Sequence, residues 1–192
     1  HLYARRQRQM CIRDRNVDNF VYLGSNVASN ASLDKEINSR IGKASGTFAR
    51  LTARVWDNQK LSIRTKANVY RSCVCSTLLY GSETWTLPSV QEKKINTFHL
   101  RCLRRILGIT WQQKITNEEV LRRTGLTTMY FTLSQRRLRW LGHILRMNTE
   151  RIPKFLLYGE LVVGKRNRGR PKLRFKDVCK RDLKSLNIGT DD

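Results

Sequence analysis

The run Gln135-Arg-Arg-Leu-Arg-Trp-Leu-Gly-His-Ile-Leu-Arg-Met147 decides the fold. At roughly 100° per residue, Arg136, Arg139, His143 and Arg146 fall on one narrow stripe of a helix. Leu138, Trp140, Leu141, Ile144 and Leu145 occupy most of the rest, so one face suits a core and the other presents positive charge. Met129, Tyr130, Phe131 and Leu133 extend the apolar arc backwards and place the helix start near Thr128. Arg137 points into the middle of that arc. An unpaired buried charge costs several kcal/mol, so a carboxylate is expected to pin it, with Glu83, Glu118 and Glu119 as the candidates.

The same pattern recurs upstream. Ser32 suits an N-cap, with Asp34 and Glu36 in the first turn. Leu33, Ile37, Ile41, Ala44, Phe48, Leu51 and Val55 then form one apolar stripe, flanked by Arg40, Lys43, Arg50 and Arg54. Ser62 caps a second helix with apolar residues on two faces (Ile63, Ala67, Tyr70, Val74 and Leu78; Val69, Cys73 and Tyr80), which implies a central position. Ser89 and Glu92 have capping-box spacing ahead of a third helix. Its Ile95, Phe98, Cys102, Leu103 and Ile106 face inward, and Lys93, Lys94, Arg101, Arg104 and Arg105 crowd the other side until Gly108 stops it. Thr116 and Glu119 repeat the box for a short helix ending at Gly125. Pro153 and Gly159 bracket one or two further helical turns, a strand being the alternative, and an amphipathic helix with Phe175, Val178, Cys179, Leu183 and Leu186 inward closes the chain. The expected fold is therefore mainly α: a compact bundle of about six helices, with a short strand at Asn19–Gly24 and a basic C-terminal loop and helix.

Residues 1–16 show neither period and are set outside the fold, as an adapter or cloning remnant joined to a truncated frame or as a basic disordered tail. Residues 17–162 form the expected helical domain, and 163–192 a basic arm with its helix.

The charge balance points to a partner. Thirty-eight Lys and Arg against 15 Asp and Glu give +23, an excess that repels itself on a compact body unless a polyanion neutralises it. A membrane-surface role competes, but the chain has no long uncharged apolar run and no signal peptide, so the expectation is an intracellular, nuclear protein without a membrane. One basic stripe alone reads as a solvated face. Three with so few balancing acids read as a surface for phosphates, which the planar fork of Arg can bond two oxygens at a time.

Local motifs refine this. Arg168-Gly-Arg-Pro171, with Lys165, Arg166, Lys172 and Arg174 around it, matches the core of an AT-hook, whose guanidiniums follow the narrow A·T minor groove. A nuclear-import signal or a loop contacting phosphates would need the same residues. Trp111, in the loop after the basic third helix, is the tryptophan best placed to stack on a base; Trp56, Trp85 and Trp140 suit a core. Cys11, Cys73, Cys75, Cys102 and Cys179 contain no Cys-x-x-Cys and read as reduced thiols, and His99 with Cys102 lacks the second pair a zinc site needs. No Gly-rich phosphate loop, no nucleophile beside a histidine and no metal-spaced carboxylate cluster is present, so no catalytic residue, cofactor or metal is expected.

Phe20-Val-Tyr-Leu-Gly-Ser25, Leu78-Leu-Tyr-Gly-Ser-Glu-Thr-Trp85, Arg101-Cys-Leu-Arg-Arg-Ile-Leu-Gly-Ile109, Arg136-Arg-Leu-Arg-Trp-Leu-Gly-His143 and Gly169-Arg-Pro-Lys172 follow one another in this order. Together they resemble the C-terminal part of endonuclease/reverse transcriptases of non-LTR (LINE-type) retrotransposons, over Val17 to Ile188. The resemblance implies that Phe20–Gly24 leaves the polymerase palm and that the helices form the thumb and the region after it, gripping an RNA–DNA hybrid or a DNA duplex by its backbone. The family's polymerase uses palm aspartates in a Tyr/Phe-x-Asp-Asp turn, and its nuclease lies further upstream. Neither appears in these 192 residues, so a backbone-binding segment without chemistry of its own is expected. Two alternatives stay open: a stand-alone element-derived DNA-binding or chromatin protein using the Arg168–Pro171 hook, and a decayed reading frame.

Overall fold

A computed structural model of the chain describes residues 17–30, 32–159 and 174–187. The chain divides into two units, His1–Glu36 and Ile37–Asp192.

The described part of the first unit is built on a hairpin. Strands β1 (Asn19–Tyr22) and β2 (Ser25–Ala28) pair antiparallel with Phe20 opposite Val27 and Tyr22 opposite Ser25. Leu23 and Gly24 both take positive φ, 47° and 81°, the two-residue reversal whose twist matches paired strands. The polar run after Gly24, whose composition predicts a turn, is instead the partner strand. Pairing asks only for backbone groups there, so weak strand formers can serve. Glu36 fixes β2, its carboxylate accepting from the Asn26 backbone N–H at 2.6 Å and from the Asn26 side-chain amide at 3.2 Å. The described residues leave Phe20, Val21, Tyr22 and Leu23 exposed.

The second unit is helical, as the periodicities predict. Eight helices are present among the described residues: α1 (Asp34–Arg50, which begins in the first unit), α2 (Ile63–Val69), α3 (Ser76–Leu78), α4 (Ser89–Leu107), α5 (Asn117–Thr124), α6 (Met129–Leu145), α7 (Ile152–Tyr158) and α8 (Phe175–Ser185). Two exceed the expected number, because a π-helical stretch, Tyr70–Cys75, interrupts what the sequence suggests is one helix, and because the Pro153 segment forms its own helix. A further π-turn, Thr52–Trp56, follows α1 and buries Trp56 against Phe48, ring centroids 4.9 Å apart. Trp56 O in turn accepts from the ammonium of buried Lys66 at 2.7 Å.

The centre lies at α4. It buries Ile95, Phe98, His99, Leu103 and Ile106 and packs against α2, α5 and α6. The two apolar faces of the α2–α3 segment predict a central position, but of these Cys73 and Tyr80 are exposed, while Ala67, Tyr70, Val74 and Leu78 are buried together with Cys75 and Leu79. The wider turn at Tyr70–Cys75 changes the angular phase, so a stripe counted at α-helical spacing through it does not stay on one face.

Caps at α2, α5 and α6 follow the expected residues: Ser62, Thr116 and Thr128 accept from the backbone N–H of Thr65, Glu119 and Phe131. The Ser89–Glu92 box does not form. Pro88 is the cap residue, and the Glu92 carboxylate turns to Arg181 and Arg137. Gly108 and Gly125 end α4 and α5 in the left-handed conformation, where an L side chain would be strained. Leu186, expected inward, is exposed at the end of α8.

Arg137 is 1% exposed and held by carboxylates, though not the expected ones. Its Nε donates to Asp182 Oδ2 at 2.7 Å and its Nη2 to Ser134 Oγ at 3.3 Å, while Glu92 Oε1 lies 3.8 Å away. Glu83 is engaged by Arg136 and Glu119 by Arg122 and Arg123. The ion pair thus joins α6 to α8, beside the start of α4.

Candidate nucleic-acid interface

The basic side of α4 is open. Lys93, Lys94, Arg101 and Arg105 are exposed along it, with Arg104 half-buried. Cross-links define its flanks. Lys94 Nζ donates to Asn38 Oδ1 on α1, and Arg105 Nη2 pairs with Asp57 at 2.7 Å, beyond the end of α1. Arg104 Nη2 donates to Ile115 O (3.0 Å) and to Asn117 Oδ1 (2.9 Å), which folds the loop after Gly108 back along the last turn. The side chains of Lys93 and Arg101 have no hydrogen-bond or ion-pair partner among the described residues.

That folded loop presents Trp111. The side chain opens a 3-10 turn, Trp111–Gln113, closed by Lys114 in the left-handed conformation, and it is 85% exposed. Thr110 N–H donates to Gln113 Oε1 at 3.3 Å and braces the turn. A large flat side chain on a braced turn, just beyond Arg101, Arg104 and Arg105 in the chain, can offer a π-face beside cationic groups. The other tryptophans follow the core expectation: Trp56 and Trp85 are buried and Trp140 is half-buried against His143, ring centroids 5.3 Å apart.

The other two stripes are thinner than the periodicity implies. On α6, Arg139, His143 and Arg146 are exposed, but Arg136 Nη1 donates to Leu79 O (3.0 Å) and Glu83 Oε1 (2.5 Å) and serves the fold. On α1 and the turn after it, Lys43, Arg50 and Arg54 are exposed. Arg40 is only 5% exposed, with its guanidinium 4.5 Å from the centroid of the Tyr80 ring, so the cation is part of the packing rather than of a surface. Each of these corrections has one cause: a partner 40 or more residues away in sequence turns the side chain aside. Lys165, Arg166, Arg168, Arg170 and Lys172, the hook and its flanks, lie outside the described residues.

Four arginines not singled out by the sequence line a shared groove of about 520 Å³ between α2 and α5: Arg64, Arg71, Arg122 and Arg123. Arg64, Asn68 and Arg71 do repeat at i, i+4 and i+7, but the apolar faces dominate the pattern of their helix, and the Arg122–Arg123 pair is inconspicuous at the end of a short capped one.

The buried polar groups serve packing. His99 Nε2 donates to Thr127 O at 3.2 Å and its Nδ1 accepts from the Tyr70 hydroxyl at 2.9 Å, and burial lowers its pKa to about 4. Burial pushes the Cys75 and Cys102 thiols up to about 12. The four described cysteines are free. Among the described residues no group of three His, Cys, Asp or Glu side chains is placed to hold a metal, and no helix is long and apolar enough to cross a membrane.

An origin in a transposable element is what comparison with known proteins supports. The chain is 27% identical over 175 residues to the transposon-derived protein F52C9.6 of Caenorhabditis elegans, an alignment that takes in 87% of this chain and 61% of that protein. The chain thus spans about three-fifths of the relative's length. No family model matches the chain, and no solved structure matches it.

Proposed function

We propose that this chain is the thumb and post-thumb segment of a LINE-type retrotransposon reverse transcriptase, gripping a nucleic acid by its backbone in the nucleus without polymerase or nuclease chemistry of its own. One observation carries the reading: the α4 face, where the side chains of Lys93 and Arg101 are exposed and have no partner among the described residues, runs toward Trp111, itself 85% exposed on a braced turn. Cations of this kind bond phosphates whatever the sequence, and the indole adds stacking, which every base can accept. Arg139, His143 and Arg146 on α6 offer a second set of backbone contacts. The transposon-derived relative is consistent with the element origin of such a segment, and the ordered run of motifs from Phe20 to Lys172 is what names the reverse transcriptase.

Counterion release supplies the test. Binding of the full chain to an RNA–DNA hybrid and to duplex DNA should weaken steeply between 50 and 200 mM salt, about 10³–10⁵-fold if roughly six to ten phosphates are contacted. An affinity that stays flat over this range overturns the reading. Primer extension by the chain alone should be blank, and nucleotide incorporation would overturn the assignment of a segment without chemistry.

A further inference from the structure

The basic groove between α2 and α5 has no α4 residue in its lining and is distinct from the α4 face. Arg64 and Arg71 reach into it from α2 and the π-helical stretch after it, and Arg122 and Arg123 from α5. Ile63 and Leu126 add apolar wall. Surface cations placed only for solubility stand apart or beside acids. Here four arginines line one concavity that has no acidic residue in its lining, and one carboxylate behind it, Glu119, contacts two of them. Arg122 gives Glu119 its Nε and Nη2 (2.6 and 2.7 Å), and Arg123 gives only Nε (2.7 Å). The carboxylate therefore orients both planar groups and leaves Nη1 of Arg122 and both terminal nitrogens of Arg123 available. The Arg64 side chain has no partner among the described residues, and Arg71 makes one long contact, 3.5 Å, to Asn68. Against that one carboxylate, three of the four positive charges have no acidic partner among the described residues, and an anion would neutralise them.

We infer that this groove is a phosphodiester site, taking one or two nucleotides of a nucleic-acid strand with the phosphates on Arg64, Arg71, Arg122 and Arg123 and the sugar edge against Ile63 and Leu126. The volume falls within the range of sites that enclose small ligands, about 300–1,000 Å³. Oriented guanidiniums match phosphate oxygens two at a time. The groove is open to solvent, so a strand can run through it rather than end in it. This inference rests on the reading that the chain grips nucleic acid, and it adds a second place where the strand is held.

The test uses the full chain and single-stranded oligonucleotides followed by fluorescence anisotropy across a salt series. Arg64→Ala with Arg71→Ala, and separately Arg122→Ala with Arg123→Ala, should each weaken binding roughly tenfold or more and flatten the plot of log affinity against log salt by about 0.7 for every phosphate that is no longer held. All four positions line a solvent-open groove, and circular dichroism verifies that each variant is folded. Arg64→Lys with Arg122→Lys, which keeps charge but removes the planar fork, should bind between the wild type and the alanine variants. Lys180→Ala with Lys184→Ala removes the same charge from α8 and should leave the slope within about 0.3 of wild type. If the wild type binds and the groove variants match the α8 variant, the groove is not a site, while the α4 reading stands. If the wild type does not bind at all, both fall. Two competitors identify the occupant: a nucleoside monophosphate or inorganic phosphate that displaces the oligonucleotide at equal affinity would make the groove a nucleotide or phosphate pocket. Anionic phospholipid vesicles bound through the same four arginines would make it a membrane contact. Either result overturns the strand.

Discussion

Replacing Asp182 with Ala strips the buried Arg137 of its only short carboxylate contact among the described residues. The side chains are 1% and 5% exposed, and the 2.7 Å bond crosses from α6 to α8. No other described residue is placed to take over from Asp182. Glu92 stands 3.8 Å from Arg137, too far for a hydrogen bond, and is shared with Arg181 at 3.4 Å. Ser134 Oγ offers one neutral acceptor at 3.3 Å, and Nη1 already makes no hydrogen bond to the described residues. Breaking a buried pair on one side costs about 3–5 kcal/mol, most of it from the charge left behind, whereas an exposed pair such as Arg105–Asp57 contributes about 0.2–1 kcal/mol. A domain with about 5–15 kcal/mol in hand would lose a large part of its stability. The loss should also have an address: α8 is tied to α6 through this pair, so amide exchange should rise first in residues 175–187. Urea unfolding followed by circular dichroism and tryptophan fluorescence gives the magnitude. Arg137→Met combined with Asp182→Leu removes both charges and leaves Glu92 to Arg181, and it should recover most of the loss. A deficit under about 1 kcal/mol for Asp182→Ala, or a double variant no better than the single, would refute the claim that burial of an unpaired guanidinium governs this contact.

Three further outcomes follow from named groups. His99 is neutral in the fold with its pKa lowered to about 4, against about 6.5 unfolded, so its contribution is complete above pH 6.5 and is lost as pH falls toward 4. That loss is on the order of 3 kcal/mol in total, and the pH dependence should shrink in His99→Gln; equal slopes for both proteins between pH 6.5 and 4 would exclude the histidine as the cause. Trp111→Ala should weaken single-strand binding by about 1–3 kcal/mol for each base stacked while leaving Tm unchanged, because an indole that is 85% exposed buries little; unaltered binding removes Trp111 from the interface. Arg168→Ala with Arg170→Ala should erase a preference for A·T-rich duplex, and the hook reading ends if competition assays find no such preference in the wild type.

Legibility in the sequence followed the range of the interactions. Helices, left-handed glycine ends and three side-chain caps were readable because each depends on residues within four positions, such as Thr128 with Phe131 or Gly108 with Arg104. The hairpin was half readable. Leu23–Gly24 marks the reversal, but β2 is recruited by backbone pairing that its side chains do not advertise. The burial of Arg137 was readable from its angle on the helix, yet its partner was not. Asp182 lies 45 residues on, and choosing it over Glu83 or Glu119 requires knowing that those acids are engaged by Arg136 and by Arg122 with Arg123.

The same limit decides how the excess of +23 should be read. Helical angle alone assigns Arg40, Arg104 and Arg136 to basic stripes, and all three are withdrawn into the fold by Tyr80, Ile115 O with Asn117, and Leu79 O with Glu83. Lys94 and Arg105 are exposed yet tied to Asn38 and Asp57, whereas Lys93 and Arg101 on α4, Arg139 and Arg146 on α6 and its end, and Arg64 on α2 are exposed with no acceptor among the described residues. A fold stabilised only from within would have little reason to leave these unmatched, since like charges on one small body repel and reduce its stability. The arginines that hold helices together and those left facing water are thus different sets on the same helices. Substitutions in the first set should act on unfolding, and those in the second on the salt dependence of binding. A variant at Arg101 or Arg139 that lowers Tm as much as one at Arg136 would erase that separation, and with it the physical ground for treating the open cations as an interface.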